Sequence, residues 1–273
     1  MKNFIPKKLD GKVLWQRLVA EAEEMMSHEG LLGNVLDSII LSKHGLGEAL
    51  AVQLSQKLGS NLLSHQTLEG LFLTSFSDNE EVVNAAEEDL LAHYHRDPAC
   101  YQYLTPLLCF KGYLAIQLHR INHCLWQSGR IPLASYLQSR MSEVFSIDIH
   151  PKAQMGKGIM VDHGSGLVIG ETTYLGNNIS LLHGVTLGGS GKEDGDRHPR
   201  ISDGVMIGAN ATILGKVTVG DCARIGAGSV VTRSVPPNVS VAGVPARIVG
   251  TTKGRIAAME LEQGLERDLD FII

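Results

Sequence analysis

Asp162 and His163 stand side by side in a chain of 273 residues, and that pair is where proton transfer first suggests itself. An imidazole with a reference pKa of about 6.5 accepts a proton near neutral pH, and a hydroxyl is a poor nucleophile until something takes its proton. Another carboxylate, Asp148, lies fifteen residues earlier, and Arg197-His198 follows in a polar stretch. A guanidinium grips a carboxylate with two parallel hydrogen bonds, and the neighbouring imidazole adds a donor for that carboxylate or for an oxyanion. Asp97 and Asp162 offer the negative charge an ammonium requires. Each has a plainer reading: a surface histidine at 163, a turn carboxylate at Asp148, a solvated loop charge at Arg197, a helix-terminal cap at Asp97. What favours chemistry is where the sequence breaks its own pattern.

That pattern is a repeat of six. Ile201, Ile207, Ile213, Val219, Ile225 and Val231 follow in unbroken steps, as do Ile169, Leu175, Leu181 and Leu187, with Ile149, Met155 and Val161 before them. Small or β-branched residues come four positions later at Val205, Ala211, Val217, Ala223 and Ser229. A step of six matches neither a helix at 3.6 nor the two-residue alternation of a long strand. It fits a coil with a short strand and a tight corner every six residues, three corners per turn, its aliphatics stacked inward. Rings would not fit so narrow an interior. Between Ile149 and Gly250 the sole aromatic is Tyr174, while nineteen of the thirty glycines fall there. Two interruptions stand out. From Val161 to Ile169 the step is eight, and His163 sits in that break. From Leu187 to Ile201 it is fourteen, and the surplus from Gly188 to Arg200 is a polar loop carrying Arg197 and His198. Loops carried by a rigid scaffold are where chemistry is commonly placed.

Ahead of residue 147 the spacing is helical. Leu14, Leu18 and Met25 share a face; so do Leu32, Val35, Leu36, Ile39 and Ile40, and then Leu46, Leu50, Leu54 and Leu58. Asp78-Asn79-Glu80 offers a cap before a run from Val82, and another run follows Thr105-Pro106 through Leu114, Leu118, Ile121 and Leu125. Gly129 and Pro132 break it before a last helix through Tyr136 and Met141. The reading is α+β: an α-helical bundle over 1–146, a parallel β-helix of hexapeptide repeats over 147–250, and a flexible C-terminal tail over 251–273.

Composition excludes several classes. With 44% hydrophobic residues the chain is not disordered, and no apolar run approaches the roughly 18 residues of a membrane helix. Its net charge of −5 gives no sign of nucleic-acid binding. Cys100, Cys109, Cys124 and Cys222 lack CxxC spacing and read as reduced thiols, and no zinc or phosphate-loop motif is present. With no apolar leader behind Met1, a cytoplasmic location is expected.

At this point the residues carry a resemblance. The hexads resemble those of the left-handed β-helix acyltransferases, and particular strings resemble serine O-acetyltransferase. These are Asp148-Ile149-His150-Pro151, Asp162-His163, Gly184-Val185-Thr186-Leu187-Gly188-Gly189, Asp196-Arg197-His198-Pro199, Arg96-Asp97-Pro98-Ala99 and Ala242-Gly243-Val244-Pro245-Ala246-Arg247. The resemblance covers about residues 80 to 250, and the left hand of the coil comes from it. It implies acetyl transfer from acetyl-CoA to the hydroxyl of L-serine in cysteine biosynthesis, with acetyl-CoA as co-substrate and no bound cofactor. In that light His163 is the base and Asp148 the carboxylate that holds its tautomer. Arg197 and His198 meet serine's carboxylate, and Asp97 and Asp162 meet its ammonium, at a junction expected to involve an adjacent subunit.

Coenzyme A brings phosphates, and between Val205 and Arg255 six basic residues face one acidic one, against the sign of the whole chain. Arg224 is the candidate there, with Gly189, Gly208, Ala209 and Ala227 as places where small residues let the pantetheine arm approach. The tail ends Phe271-Ile272-Ile273 behind an acidic segment. By resemblance its terminal Ile273 enters the substrate site of O-acetylserine sulfhydrylase. The family also implies a trimer, paired into a dimer of trimers, and feedback inhibition by L-cysteine. Three other readings stay open: a sugar acetyltransferase, a non-catalytic trimerisation scaffold and a zinc-dependent carbonic anhydrase on the same coil.

Overall fold

The computed structural model describes residues 9–191, 194–252 and 256–261. The first half is helical: α1 (Gly11–His28), α2 (Gly33–Leu36), α3 (Leu46–Leu58), α4 (His65–Ser77), α5 (Glu80–Arg96), α6 (Leu104–Cys109), α7 (Lys111–Gln127) and α8 (Ile131–Phe145). Leu14, Leu18, Leu50, Leu54, Leu114 and Leu118 are buried, as their spacing requires. The sequence differs from the structure around Leu32 and Val35. A single amphipathic helix was expected, but a 3-10 turn at Gly30–Leu32, α2 and a π turn at Asp37–Leu41 succeed one another, leaving Val35 exposed. The run after Pro106 also divides, because Phe110 is extended and begins a new helix rather than continuing the old. Pro132 takes the start of α8, where a missing N–H costs nothing. No helix among the described residues is long and apolar enough to cross a membrane.

From Ile147 the chain becomes a three-sided parallel coil. Its strands are β1 (Ile147–Ile149), β2 (Gln154–Met155), β3 (Met160–Val161), β4 (Leu167–Ile169) and β5 (Tyr174–Leu175). Then come β6 (Ser180–Leu181), β7 (Thr186–Gly188), β8 (Arg200–Ile201), β9 (Met206–Ile207) and β10 (Thr212–Leu214). The last are β11 (Thr218–Val219), β12 (Arg224–Ile225), β13 (Val230–Val231), β14 (Val239–Ala242) and β15 (Arg247–Thr251). One face stacks β1, β4, β7, β10 and β13; a second stacks β2, β5, β8 and β11; the third stacks β3, β6, β9, β12 and β14, closed by antiparallel β15. Val168 lies opposite Thr186 and Thr212 opposite Val230, a turn of eighteen. Where the hexads break, the turn lengthens: Met160 faces Ser180, twenty residues on, and Thr186 faces Thr212, twenty-six on. Both surpluses leave the register of the aliphatics intact, and Ile169, Leu175, Leu181, Leu187, Ile201, Ile207, Ile213, Val219, Ile225 and Val231 are all buried. Tyr174 stays outside, 41% exposed.

The helices dock on the first rungs through one continuous apolar core and a buried polar hub. Asp89 of α5 is fully buried; its Oδ2 accepts from Arg120 Nε and Nη2 and from Gln117, and its Oδ1 from the backbone N–H of Ile159. A buried charge so fully partnered is costly to break from either side, at roughly 3–5 kcal/mol.

Candidate active site

Three of the expected side chains line one cavity of about 430 Å³. Asp97 ends α5, Asp162 and His163 follow β3, and His93, Phe110, Lys111 and Gly112 complete the wall. The helical and coil residues that line this cavity belong to the same chain. His163 itself is 76% exposed, its Nε2 3.8 Å from Asp162 Oδ1. Its backbone is left-handed at φ +56°, at the centre of a three-residue turn closed by the Gly164 N–H on the Asp162 carbonyl at 2.6 Å. A bulky residue held there is strained, and such strain concentrates where a side chain must be aimed. The ring meets His183, one turn up, edge to face at 6.0 Å.

Arg197 and His198 gather at the next corner, across β4. Thr172 Oγ1 accepts the backbone N–H of both, at 3.0 and 3.1 Å, and sits 2.9 Å from His198 Nδ1. Arg197 Nη2 donates to Glu171 Oε2 at 2.9 Å, and Lys152 Nζ to Glu171 Oε1 at the same distance. These two cations, through their hydrogen bonds, hold the Glu171 carboxyl down at about 2. His198 is buried against Gly170, whose missing Cβ would otherwise lie 2.0 Å from His198 Cδ2. Burial, then the charge of Arg197, lowers the pKa of His198.

Asp148 does not pair with His163 within the protomer. It lies on β1 beneath Val168 rather than beneath the corner, and its Oδ1 accepts from Gln138 Nε2 at 2.7 Å. The extra two residues of the lengthened turn account for this: strand stacks on strand, and the surplus falls at the corner that His163 occupies. On the same side of the coil, burial lowers the pKa of His150, opposed by the charges of Glu171 and Asp148 and assisted by those of Lys152 and Arg197.

The cofactor candidates divide. The corner of His163 and His183 continues up the coil through Ala209 and Ala227, each rung tied to the next by backbone bonds. Ala227 is exposed, but Ala209 is buried with Leu182, Met206 and Ala257. Arg224 is also buried, and its Nη2 donates to Glu260 Oε2 at 3.1 Å. Ala257 and Glu260 of this chain thus lie on one position expected to meet the pantetheine arm, Ala209, and one expected to meet a nucleotide phosphate, Arg224. Gly208 serves the coil, since a Cβ there would lie 2.6 Å from the Ala227 nitrogen, and Gly189 packs beside Arg197. Ile273 lies outside the described residues.

Sequence reasoning missed Asp89, His93, Glu171 and Thr172. Asp89, His93 and Asp97 form a visible polar stripe at intervals of four on α5, which was the available signal. Glu171 and Thr172 carried none, because their role depends on which corner the long loop folds back upon.

Residues 14–118 match the family model described as serine acetyltransferase, N-terminal, and residues 198–233 the bacterial transferase hexapeptide model of six repeats. Over 250 residues the chain is 46% identical to serine acetyltransferase of Haemophilus influenzae, covering 92% of this chain and 94% of that one. Neisseria gonorrhoeae serine acetyltransferase, crystallised with serine, superposes with a TM-score of 0.85 at 51% identity, covering 90% of this chain and all of the other. The Brucella abortus enzyme with coenzyme A gives 0.86 at 48%, covering 89% and 96%. A serine acetyltransferase in complex with cysteine gives 0.92 at 44%, covering 94% and 100%.

Proposed function

The chain belongs to the serine acetyltransferase family, and from that premise we propose that it moves the acetyl group of acetyl-CoA to the L-serine hydroxyl by direct attack, with His163 as general base. The observation that carries this reading is the single cavity shared by Asp97, Asp162 and His163, which sets two carboxylates for an ammonium beside an imidazole for a hydroxyl. His163 takes the hydroxyl proton as the oxygen attacks the acetyl carbonyl. The tetrahedral intermediate then collapses, the C–S bond breaks and CoA thiolate leaves, taking up the proton that His163 held. No covalent acetyl-enzyme is formed.

Arg197 and His198 supply the carboxylate grip and an oxyanion donor. They stand at the far end of β4, about 10 Å of strand away from the His163 corner. A head-to-tail trimer brings the His163 corner of one copy against the Arg197 corner of the next, which also encloses an imidazole left open in one protomer. Asp148, on the Arg197 side, is assigned the orienting role across that junction. L-cysteine shares the ammonium and carboxylate of serine and competes for these same groups. The terminal Ile273 is assigned to docking on O-acetylserine sulfhydrylase.

Thiol release from acetyl-CoA, measured with L-serine, homoserine and a galactoside side by side, tests the reaction. Serine is the expected acceptor, and a preference for the sugar overturns the assignment. His163→Ala is expected to lower kcat by about 10²–10⁴-fold. Near-parental turnover would remove it as the base, and an acetylated enzyme formed without serine would end the direct route.

A further inference from the structure

β3 is the edge strand of its face, so on one side its backbone has no strand to pair with among the described residues. Met160 and Asp162 turn their N–H groups inward along the stack, to Ile179 and Leu181. The alternate groups, those of Ile159 and Val161, point at α5. A buried N–H without a partner is costly, and both are satisfied from the helix: Ile159 donates to Asp89 Oδ1 at 2.8 Å and Val161 to His93 Nε2 at 3.2 Å. The match is a matter of periods. Four residues of helix rise about 6 Å and two residues of strand advance about 6.6 Å, so side chains at i and i+4 reach backbone groups at j and j+2. Asp97, the next position on that stripe, then falls in the cavity beside Asp162 and His163.

The tautomer of His93 is fixed from both ends. Its Nδ1 lies 2.8 Å from the carbonyl of Asp89, which only accepts, so Nδ1 carries the proton. The Val161 N–H only donates, so Nε2 is the bare acceptor. The ring is 1% exposed and wedged against Phe110 and Tyr113. On the same side of Val161, its carbonyl lies so close to α7 that a Cβ on Gly112 would stand 2.2 Å from it. The residue directly ahead of Asp162-His163 is thus clamped by a side chain from one helix and by the bare backbone of another.

We infer that His93 is a positioning residue for the reaction: by accepting the Val161 amide it sets the strained Asp162-His163 turn at a fixed height against Asp97. This rests on the reading of His163 as the base. It does not itself touch the reacting atoms, and its effect passes through the β3 edge.

Three substitutions separate this role from bulk packing. His93→Gln keeps an acceptor near the Nε2 position; His93→Asn keeps a donor for Asp89 but withdraws the acceptor; His93→Leu fills space with neither. With the full-length protein, His93→Gln is expected within about threefold of parental kcat. His93→Asn and His93→Leu are expected to lose at least tenfold in kcat, with acetyl-CoA KM within twofold. Amide hydrogen exchange at Val161 is expected to accelerate in Asn and Leu and stay slow in Gln, a readout independent of turnover. Parental kcat in folded His93→Leu, or a Gln variant no better than Leu, overturns the inference. Should His163→Ala keep parental turnover, the reading of the base falls, while exchange at Val161 still tests the clamp on its own.

Discussion

Thr172 and His198 settle each other's hydrogens. Thr172 Oγ1 stands 2.9 Å from His198 Nδ1, and the backbone N–H of Thr172 points at the same nitrogen from 3.2 Å. A backbone N–H only donates, so Nδ1 accepts and the neutral ring carries its proton on Nε2. The same hydroxyl oxygen accepts the amides of Arg197 and His198, so one side chain organises both groups proposed to hold the substrate carboxylate. Thr172→Val keeps the shape and removes the oxygen. Each lost hydrogen bond is worth about 1 kcal/mol, so serine KM is expected to rise on the order of tenfold, with acetyl-CoA KM unchanged and Thr172→Ser restoring it. Initial-rate kinetics with each substrate varied decide this, and an unchanged serine KM in the Val variant refutes it.

Gly112 makes a second, steric prediction. A methyl group there would meet the Val161 carbonyl at 2.2 Å, and that obstacle is backbone rather than a flexible side chain. Gly112→Ala must push α7 away from β3 or bend one of them, at a cost of about 1–3 kcal/mol. A lower urea midpoint together with reduced kcat is expected. A variant of parental stability and turnover would show that the helix-to-strand approach is looser than these distances say.

The coil was legible because its restraint is local and repeated. Once Ile201 to Val231 keep a step of six, the corners, the inward aliphatics and the absence of rings follow from one geometric requirement. The two breaks were legible for the same reason, and the structure loops the chain out at both. Partnerships between rungs were less so. A separation of fifteen residues is close to one turn of eighteen and is compatible with a contact between Asp148 and His163 on neighbouring rungs, but β1 stacks on β4 so that Asp148 lies opposite Val168. The helical region failed near Val35, where periodicity gives a face but not the turn type. Burial of Arg224 and Ala209 was beyond reach, because a hexad pattern says which residues face out and not what later lies on them.

His119 gives a pH dependence whose sign is fixed. It is buried in α7, and its Nδ1 has no hydrogen-bond partner among the described residues. Burial first, then the charges of His123 and Arg120, push its pKa down to about 3. In the unfolded chain the imidazole titrates near 6.5. Between those values the unfolded state binds a proton that the native state refuses, so stability falls as pH drops from about 6.5 towards 3. Burial pushes His93 in the same direction, and that contribution stays in place when only His119 is changed. The urea midpoint of the parent is therefore expected to fall between pH 7.5 and 5, and that of His119→Gln to fall less. Equal drops in the two proteins would mean that His119 is not the group responsible.

Arg224 makes the remaining prediction, because its present partner and its proposed ligand carry the same sign. Its guanidinium donates to Glu260 across the third face, beneath a segment in which Ser180 Oγ also bonds the Ala258 carbonyl at 2.8 Å. A nucleotide phosphate reaching Arg224 would have to displace that carboxylate, so the two contacts oppose each other. Glu260→Gln weakens the incumbent without altering the coil, and acetyl-CoA KM is expected to fall by a few-fold. Arg224→Ala removes the site for both, and acetyl-CoA KM is expected to rise, with serine KM little changed because Arg224 lies three rungs above β3 on that face. If Glu260→Gln leaves acetyl-CoA KM alone while Arg224→Ala raises it, the nucleotide approaches Arg224 from a side the carboxylate does not cover. If neither moves it, Arg224 is a structural cation, and the phosphates are held by other members of the basic excess between Val205 and Arg255.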